Sequence, residues 1–124
     1  MRDPAARVVK HEDLEVFKLA HRLALRIYQL TRSFPREETL GLVSQLRRAA
    51  ASVPANIAEG AGRLNRGEYR HFAGIARGSA VEVSYCLLLA RDLDYIASPD
   101  YDELRAAYES VGKMLTRLSQ ALAN

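Results

Sequence analysis

The chain has 124 residues, of which 48% are hydrophobic and 27% are charged, and its formal net charge at pH 7 is +3. This composition excludes a disordered or collagen-like chain, and the length suits one domain with its own core. The one cysteine, Cys86, excludes an intrachain disulfide and a multi-cysteine metal centre. No apolar run approaches about 18 residues and the N-terminus lacks the apolar core of a signal peptide, so we expect a cytoplasmic protein with no membrane partner.

The N-terminal part of the chain predicts a mobile arm followed by a first helix. Residues 1–11 show no hydrophobic period, and we expect them to be mobile, ahead of a bundle over 12–124. The first helix is predicted over 13–33, with Asp13 as its N-cap and Pro35 just beyond its end. Its apolar residues recur every three or four positions, which is the period of one helical face. They are Val16, Ala20, Leu23, Ile27, Leu30 and Phe34.

The second helix is predicted over 37–59, ending in a turn that contains Gly60 and Gly62. Pro54 lies inside the pattern and is expected to kink the helix, because the apolar stripe resumes beyond it. That stripe is Val43, Leu46, Ala50, Val53 and Ile57. A polar pair follows the proline: Asn56 has a donor for a carbonyl freed by the kink, and Glu59 has an acceptor for Arg63. We interpret Pro54, Asn56 and Glu59 as structural residues of the kink rather than catalytic ones.

Two longer helices complete the pattern. The third is predicted over 66–96 and the fourth over 99–122, with Ser98 as its N-cap. The stripe of the third helix is Phe72, Ala76, Ser79, Val83, Cys86, Ala90, Leu93 and Ala97; that of the fourth is Leu104, Tyr108, Val111, Leu115, Leu118 and Leu122. Because Cys86 falls on a core stripe, we interpret it as a small buried hydrophobe rather than a nucleophile. Four amphipathic helices with short connections bury their stripes against one another, which predicts an all-α fold, an antiparallel up-and-down four-helix bundle.

The third helix carries a second set of small and apolar residues on the side opposite its core stripe. These residues are Gly74, Gly78, Val81, Tyr85 and Leu88. A helix that is apolar on both sides lies at the centre of a larger fold or at a subunit interface, and a four-helix bundle has no centre for it. The pattern therefore favours self-association through this helix, although single exposed apolar residues are also common.

Positive charge is concentrated in the middle of the chain. Six arginines there are candidates for a nucleic-acid site: Arg47, Arg48, Arg63, Arg66, Arg70 and Arg77. Arginine offers bidentate hydrogen bonds to phosphate, and Tyr69 offers a ring on which a base stacks. The segment 92–109 is acidic by contrast, with six acids and one arginine. The alternative interpretation is a solvated surface whose arginines pair with acids of the same chain.

One motif points to a metal. Glu68 and His71 form a Glu-x-x-His, which is half of a di-iron site in helical bundles. A complete site needs a second such motif, but His21 has Lys18 where the glutamate belongs, and His11 lies in the predicted arm. We therefore expect no metal, no cofactor and no enzymatic activity, with His71 as a surface residue.

Several segments carry a recognisable combination of residues. They are Asp13-Leu14-Glu15-Val16-Phe17, Phe34-Pro35, Leu42 with Gln45-Leu46-Arg47-Arg48-Ala49, Pro54-Ala55-Asn56-Ile57-Ala58-Glu59-Gly60, and Phe72 with Ala76-Arg77-Gly78-Ser79 and Glu82. Over about residues 12–122, the chain resembles the bacterial four-helix-bundle proteins encoded in intervening sequences of 23S ribosomal RNA genes. The resemblance implies an up-and-down bundle, a ring-shaped homo-oligomer (pentamers occur in such proteins) and no established enzyme activity.

The same family is similar in shape to the accessory variability proteins of diversity-generating retroelements, which are basic pentamers that bind nucleic acid and a reverse transcriptase. Carrying that role to this chain is an analogy of fold. The leading hypothesis is a non-enzymatic homo-oligomer that binds structured RNA, or less readily DNA, through the six arginines. The alternative is a scaffold that docks a partner protein without binding nucleic acid, and the remote alternative is a metal-binding bundle.

Overall fold

The fold is a bundle of four α-helices. The computed structural model describes the backbone of residues 4–123 and the side chains of residues 15–123. The helices are α1 (Pro4–Thr31), α2 (Leu42–Ala61), α3 (Arg66–Asp92) and α4 (Ser98–Leu122), and a short 3-10 turn at Arg36–Glu38 precedes α2. Each helix packs against the next along the chain, and α1 also packs against α4, which closes the four-helix bundle. The predicted all-α four-helix bundle with antiparallel neighbours is confirmed.

The core lies along the bundle axis and uses the stripes predicted for α2 and α4 without exception. In α3 the prediction is confirmed in part: Ala76, Val83, Cys86 and Ala90 are buried as predicted, and Ala73, Ala80 and Leu87 are buried as well. The predicted members Phe72 and Ser79 are half-buried, Leu93 is 45% exposed and Ala97 is exposed. Since α3 has a neighbouring helix on each side, alanines on its inner face let both neighbours approach closely.

The first helix is longer at its start than predicted. It begins at Pro4 instead of Asp13 and ends at Thr31, two residues before the predicted end. Proline suits a first helical turn, because its missing N–H would have no partner in the helix there. Asp13 lies inside α1, so its predicted role as N-cap is wrong. The side chains of the predicted arm lie outside the described side chains, and residues 1–3 lie outside the described backbone. The mobility of residues 1–11 stays a prediction.

The second helix starts later than predicted because the chain first makes a short 3-10 turn. Glu38 then accepts a hydrogen bond from the backbone N–H of Leu42 through Oε1 (3.2 Å), which satisfies a free donor at the start of α2. Its other oxygen accepts the hydroxyl of Tyr95 at 2.8 Å, so this carboxylate links two loops at one end of the bundle. The hydrogen bond to Glu38 and the nearby negative charge raise the pKa of the Tyr95 hydroxyl.

The third helix ends at Asp92, four residues before the predicted end. Asp94 has φ of 62°, in the left-handed region that stops a helix. The N–H of Asp94 donates to the carbonyl of Arg91 (2.9 Å) and the N–H of Tyr95 to that of Ala90 (2.9 Å), which is the Schellman pattern. The fourth helix begins at Ser98, but its N-cap residue is Ala97 and no side chain caps it, so the predicted cap role of Ser98 is wrong.

The third helix combines an apolar sequence with low burial. Within the described residues, α3 is the one helix long and apolar enough, by length and composition, to cross a membrane, and 33% of its most apolar window is buried. Core helices of bundles pass the same test, and α3 packs against both α2 and α4. The low burial matters for another reason, because it leaves apolar surface of α3 uncovered in a single chain.

Candidate nucleic-acid interface

The six predicted arginines do not form one surface. Arg47 is held against α1: its Nε donates to the Thr31 hydroxyl (2.9 Å), its Nη2 to the Tyr28 carbonyl (3.2 Å), and its guanidinium lies over the Tyr28 ring. Arg48 is exposed and lines a different groove, between α2 and α3, together with Glu82. These two arginines therefore do not join those of α3.

The arginines at the α2–α3 turn have partners within the chain. Arg63 pairs with Glu59 at 2.6 Å, as the sequence predicted, and its guanidinium lies 4.8 Å from the centre of the Phe72 ring. Arg66 donates to the carbonyl of Ala121, and Arg70 donates through Nε to the carbonyl of Ser119 at 3.2 Å. Both carbonyls belong to the last turn of α4, where cations suit the helix dipole, and the Ser119 carbonyl also accepts the backbone N–H of Ala123 at 3.1 Å. Arg66 and Arg70 thus fasten α3 to α4.

A basic groove runs between α3 and α4, and we refer to it as the α3–α4 groove. It consists of two adjoining cavities of about 590 and 520 Å³, which share Arg77, Val81 and Thr116. Five cations line it: Arg70, Arg77, Arg105, Lys113 and Arg117. Glu109 is the one acid among the lining residues, and it pairs with Arg105 at 3.3 Å. Five cations and one acid leave a formal charge of +4 in a concave site, which attracts anions.

The acidic segment at the other end of α3 and α4 does not cancel this charge. Arg26 of α1 binds both Asp100 (3.2 Å) and Glu103 (3.3 Å), and Arg91 binds Asp92 at 3.0 Å. Glu109 is the only acid of the segment among the residues that line the groove. The basic surface is therefore open rather than covered by the acids of α4.

The walls of the groove are low because glycines replace side chains. Gly74 and Gly78 of α3 and Gly112 of α4 each have open space where a Cβ would stand, with no atom within 4 Å. Tyr108 is 2% exposed and lines the larger cavity, and its hydroxyl has no hydrogen-bond partner among the described residues. Burial raises the pKa of this hydroxyl, so it remains a neutral donor.

An unpartnered buried hydroxyl carries a desolvation cost. We therefore expect Tyr108→Phe to stabilise the ligand-free protein by about 1 kcal/mol, since it removes the hydroxyl and keeps the ring. Urea unfolding followed by circular dichroism measures this change from the transition midpoint at constant slope. A loss of stability would instead show that the hydroxyl has a partner in solution.

Sequence reasoning missed the cations contributed by α4. Arg105, Lys113 and Arg117 lie four or eight residues apart, so they recur along one side of a helix, and this spacing was a readable signal. Arg105 lies within the acidic segment 92–109, so the net charge of the segment hides its place on a basic helical face. Tyr69, predicted to stack on a base, is half-buried and packs against the core. A Cβ at Gly60 would lie 2.9 Å from its ring.

The predicted oligomer contact is exposed along most of its length. Val81 is 64% exposed and Tyr85 is 61% exposed, and Gly74 and Gly78 continue the same side of α3. Leu88 is half-buried and packs against the core of its own chain. We use "α3 outer strip" for Gly74, Gly78, Val81 and Tyr85. The strip borders the α3–α4 groove, which Val81, Gly74 and Gly78 also line.

The residues around Pro54 link α2 to α3. Pro54 is buried within α2, which continues through it. Asn56 donates through Nδ2 to the Ser52 carbonyl (2.8 Å) and to the Ser52 hydroxyl (2.9 Å), and the hydroxyls of Ser52 and Ser79 share a hydrogen bond of 2.8 Å. Pro54 has no N–H to donate to the Ala50 carbonyl, and Asn56 donates to the Ser52 carbonyl rather than to that one. The prediction that Asn56 serves the freed carbonyl is therefore wrong. The arrangement is that of a structural network between two helices.

Cys86 and His71 lie where the sequence predicts them, one buried and one at the surface. Cys86 is buried, and the pKa of its thiol is raised by burial and by the charge of Glu82, which disfavours the thiolate. His71 is exposed and lies edge-on to Phe72. Among residues with described side chains, no three His, Cys, Asp or Glu residues lie together as a metal site would require.

Known proteins resemble this chain in fold and in sequence. A crystal structure of a protein of unknown function from the S23 ribosomal protein family of Bacteroides thetaiotaomicron VPI-5482 superposes with a TM-score of 0.82. The two chains are 24% identical, and the match covers 88% of this chain and 98% of that one, which supports the fold. None of the curated proteins matches the sequence. Residues 12–117 match the model of one sequence family, so the chain belongs to the 23S rRNA-intervening sequence protein family.

Proposed function

We propose that the protein is a non-enzymatic nucleic-acid-binding bundle that holds the phosphates of structured RNA in the α3–α4 groove. The observation that supports this proposal is the convergence of five cations from two helices on a concave surface with one acid, which is itself paired. The site differs from the predicted set: it keeps Arg70 and Arg77, and takes Arg105, Lys113 and Arg117 in place of the other four arginines.

The number of cations predicts the salt dependence of binding. Arg105 is paired with Glu109, which leaves four cations for phosphates. Counterion release then gives a plot of log affinity against log salt with a slope of about −3 for single-stranded segments and a little steeper for duplex segments. Fluorescence anisotropy of a labelled RNA hairpin between 50 and 200 mM KCl measures the slope. A slope near zero, or no binding at 50 mM salt, would rule out the proposed phosphate site.

We propose in addition that the chain self-associates through the α3 outer strip. The observation in favour is that Val81 and Tyr85 are both more than half exposed on a helix whose glycines leave room for a close backbone approach. Because Gly74, Gly78 and Val81 also line the groove, the proposed contact centres on Tyr85, which leaves the groove open. Association of this kind would place several grooves on one particle and multiply weak phosphate contacts. The expected ring of five copies stays a prediction. The competing hypothesis is that the chain is a scaffold and that another protein, not a second copy, binds the strip.

Tyr85→Glu tests the strip without touching the groove, because Tyr85 does not line either cavity. A buried, unpaired carboxylate in the contact is expected to shift the protein to the single-chain mass of 13.8 kDa in sedimentation velocity at micromolar concentration. The matched control is Leu25→Glu, since Leu25 is 53% exposed on α1. If the wild-type protein already sediments as a single chain, the strip is not a self-association surface.

A further inference from the structure

We propose that the larger cavity of the α3–α4 groove binds the terminal phosphate of an RNA strand, a phosphomonoester, in preference to an internal phosphodiester. This inference rests on the proposed function and deepens it, because it assigns one end of the groove to one chemical group. The cavity is the one of about 590 Å³ that contains Tyr108 at its wall.

The charge of this cavity suits a dianion. Arg77 approaches from α3, and Arg105, Lys113 and Arg117 approach from α4. With Glu109 as the one acid, the lining carries a formal charge of +3. A terminal phosphate carries a charge of about −1.5 to −2 at pH 7 and three acceptor oxygens, whereas an internal diester carries one negative charge. The adjoining cavity has only Arg70 and Arg77, so it suits the next diester along the strand.

The neutral donors of the cavity point to the same group. Ser84, Thr116 and Tyr108 line the cavity; the Thr116 hydroxyl donates to the Gly112 carbonyl (3.0 Å), and the Tyr108 hydroxyl lies buried beneath the wall with no partner among the described residues. Buried polar groups are nearly always paired, and an orphan in a native structure calls for an explanation. A phosphate oxygen reaches this hydroxyl once the side chains that cover it move aside, and accepting its hydrogen bond then offsets the desolvation cost.

The size and the neighbouring surface indicate how the strand lies. A cavity of about 590 Å³ is within the range of small-molecule sites, so it is larger than a bare ion requires and has room for a terminal nucleotide. The groove continues past Gly74 to Arg70, near the last turn of α4. The strand is therefore expected to enter the larger cavity with its end and to run along the groove toward that turn.

The test compares three versions of one internally labelled 12-nucleotide RNA: with a 5′-phosphate, with a 3′-phosphate, and with hydroxyls at both ends. Anisotropy at 100 mM KCl is expected to show one phosphorylated version binding about tenfold more tightly than the version without a terminal phosphate, which is the size expected of an added charged hydrogen bond. Tyr108→Phe is expected to abolish most of this preference, measured within the variant as the ratio of its affinities for the phosphorylated and the unphosphorylated RNA. Tyr101→Phe is the control, since Tyr101 is also a buried tyrosine of α4 but lies outside the cavity.

Failure of the inference differs from failure of the proposed function. If all three RNAs bind within twofold of one another, or if Tyr108→Phe keeps the full preference, the terminal-phosphate site is overturned while phosphate binding in the groove stands. If none of the three binds at 50 mM KCl, both are overturned. Competition by adenosine monophosphate provides a second readout: loss of the preference at millimolar nucleotide supports the site, and an unchanged preference contradicts it.

Discussion

Replacing Arg77, Lys113 and Arg117 together by glutamate is expected to lower the affinity for an RNA hairpin by at least about a hundredfold at 100 mM salt. The three side chains come from both walls of the α3–α4 groove, and none of them has an acid partner among the described ion pairs. Reversing these three charges would remove three of the proposed phosphate contacts. It would also place three repelling charges in a groove that is lined by a single other acid. Affinity is measured by anisotropy, and helicity by circular dichroism.

The matched control for this variant changes the same number of charges elsewhere. Arg22, Arg32 and Arg36 are all exposed on α1 and the loop that follows it, so their replacement by glutamate alters the net charge equally. We expect that control to weaken binding severalfold at most, through the long-range field alone. Equal losses in the two triple variants would mean that net charge and not the groove governs binding, and the assigned site would be wrong.

The substitution Gly60→Ala is expected to destabilise the fold by about 2–3 kcal/mol. Gly60 is buried in the last turn of α2, where a Cβ would stand 2.9 Å from the Cβ of Phe72 and 2.9 Å from the Tyr69 ring. The Tyr69 carbonyl is also only 3.2 Å away, so α3 itself would have to move. Thermal or urea unfolding measures the loss.

Gly112→Ala is the control for this prediction. Gly112 is also helical, but an added Cβ there meets no atom within 4 Å, so the variant is expected to gain about 0.5–1 kcal/mol from helix propensity. Opposite signs for two identical chemical changes would show that the close α2–α3 approach, and not glycine flexibility, explains Gly60. A Gly60→Ala variant as stable as the wild type would contradict that contact.

The fold was predictable because hydrophobic period is a strong signal over long helices. In α4, leucines, a valine and a tyrosine make the stripe unambiguous, and every predicted member is buried. The predicted stripe of α3 is right at Ala76, Val83, Cys86 and Ala90. It is wrong at Phe72 and Ser79, whose neighbours Ala73 and Ala80 are buried in their place. Alanine is compatible with either side of a helix, so its burial depends on neighbours that the local pattern does not contain.

The helix ends were less predictable because they depend on contacts between distant residues. The start of α2 depends on Glu38, whose other oxygen is bound by Tyr95, 57 residues away in the chain. The end of α3 depends on the left-handed backbone of Asp94, a residue type that tolerates this conformation less readily than glycine. Neither feature has a sequence pattern as strong as a glycine or a proline at the boundary.

The candidate site was only partly predictable. The common face of Arg70 and Arg77 follows from their spacing of seven residues, and both line the groove. The cations of α4 that join them could not be identified, because their position depends on which helices are neighbours. Arg63 and Arg66 were predicted to bind nucleic acid, but Arg63 binds Glu59 and Arg66 binds the end of α4. The distribution of charge along the chain shows which segments are basic and which are acidic, whereas a binding surface depends on which helical faces meet.

The most direct test of RNA binding in the α3–α4 groove is to locate RNA on the protein. Ultraviolet cross-linking of a 4-thiouridine-labelled RNA, followed by mass spectrometry of the peptides, identifies the residues that contact it. RNA binding in the α3–α4 groove predicts cross-links in peptides from the facing sides of α3 and α4, around Arg77 and between Arg105 and Arg117. Cross-links confined to α1 and α2, or to the neighbourhood of Arg47 and Arg48, would contradict it.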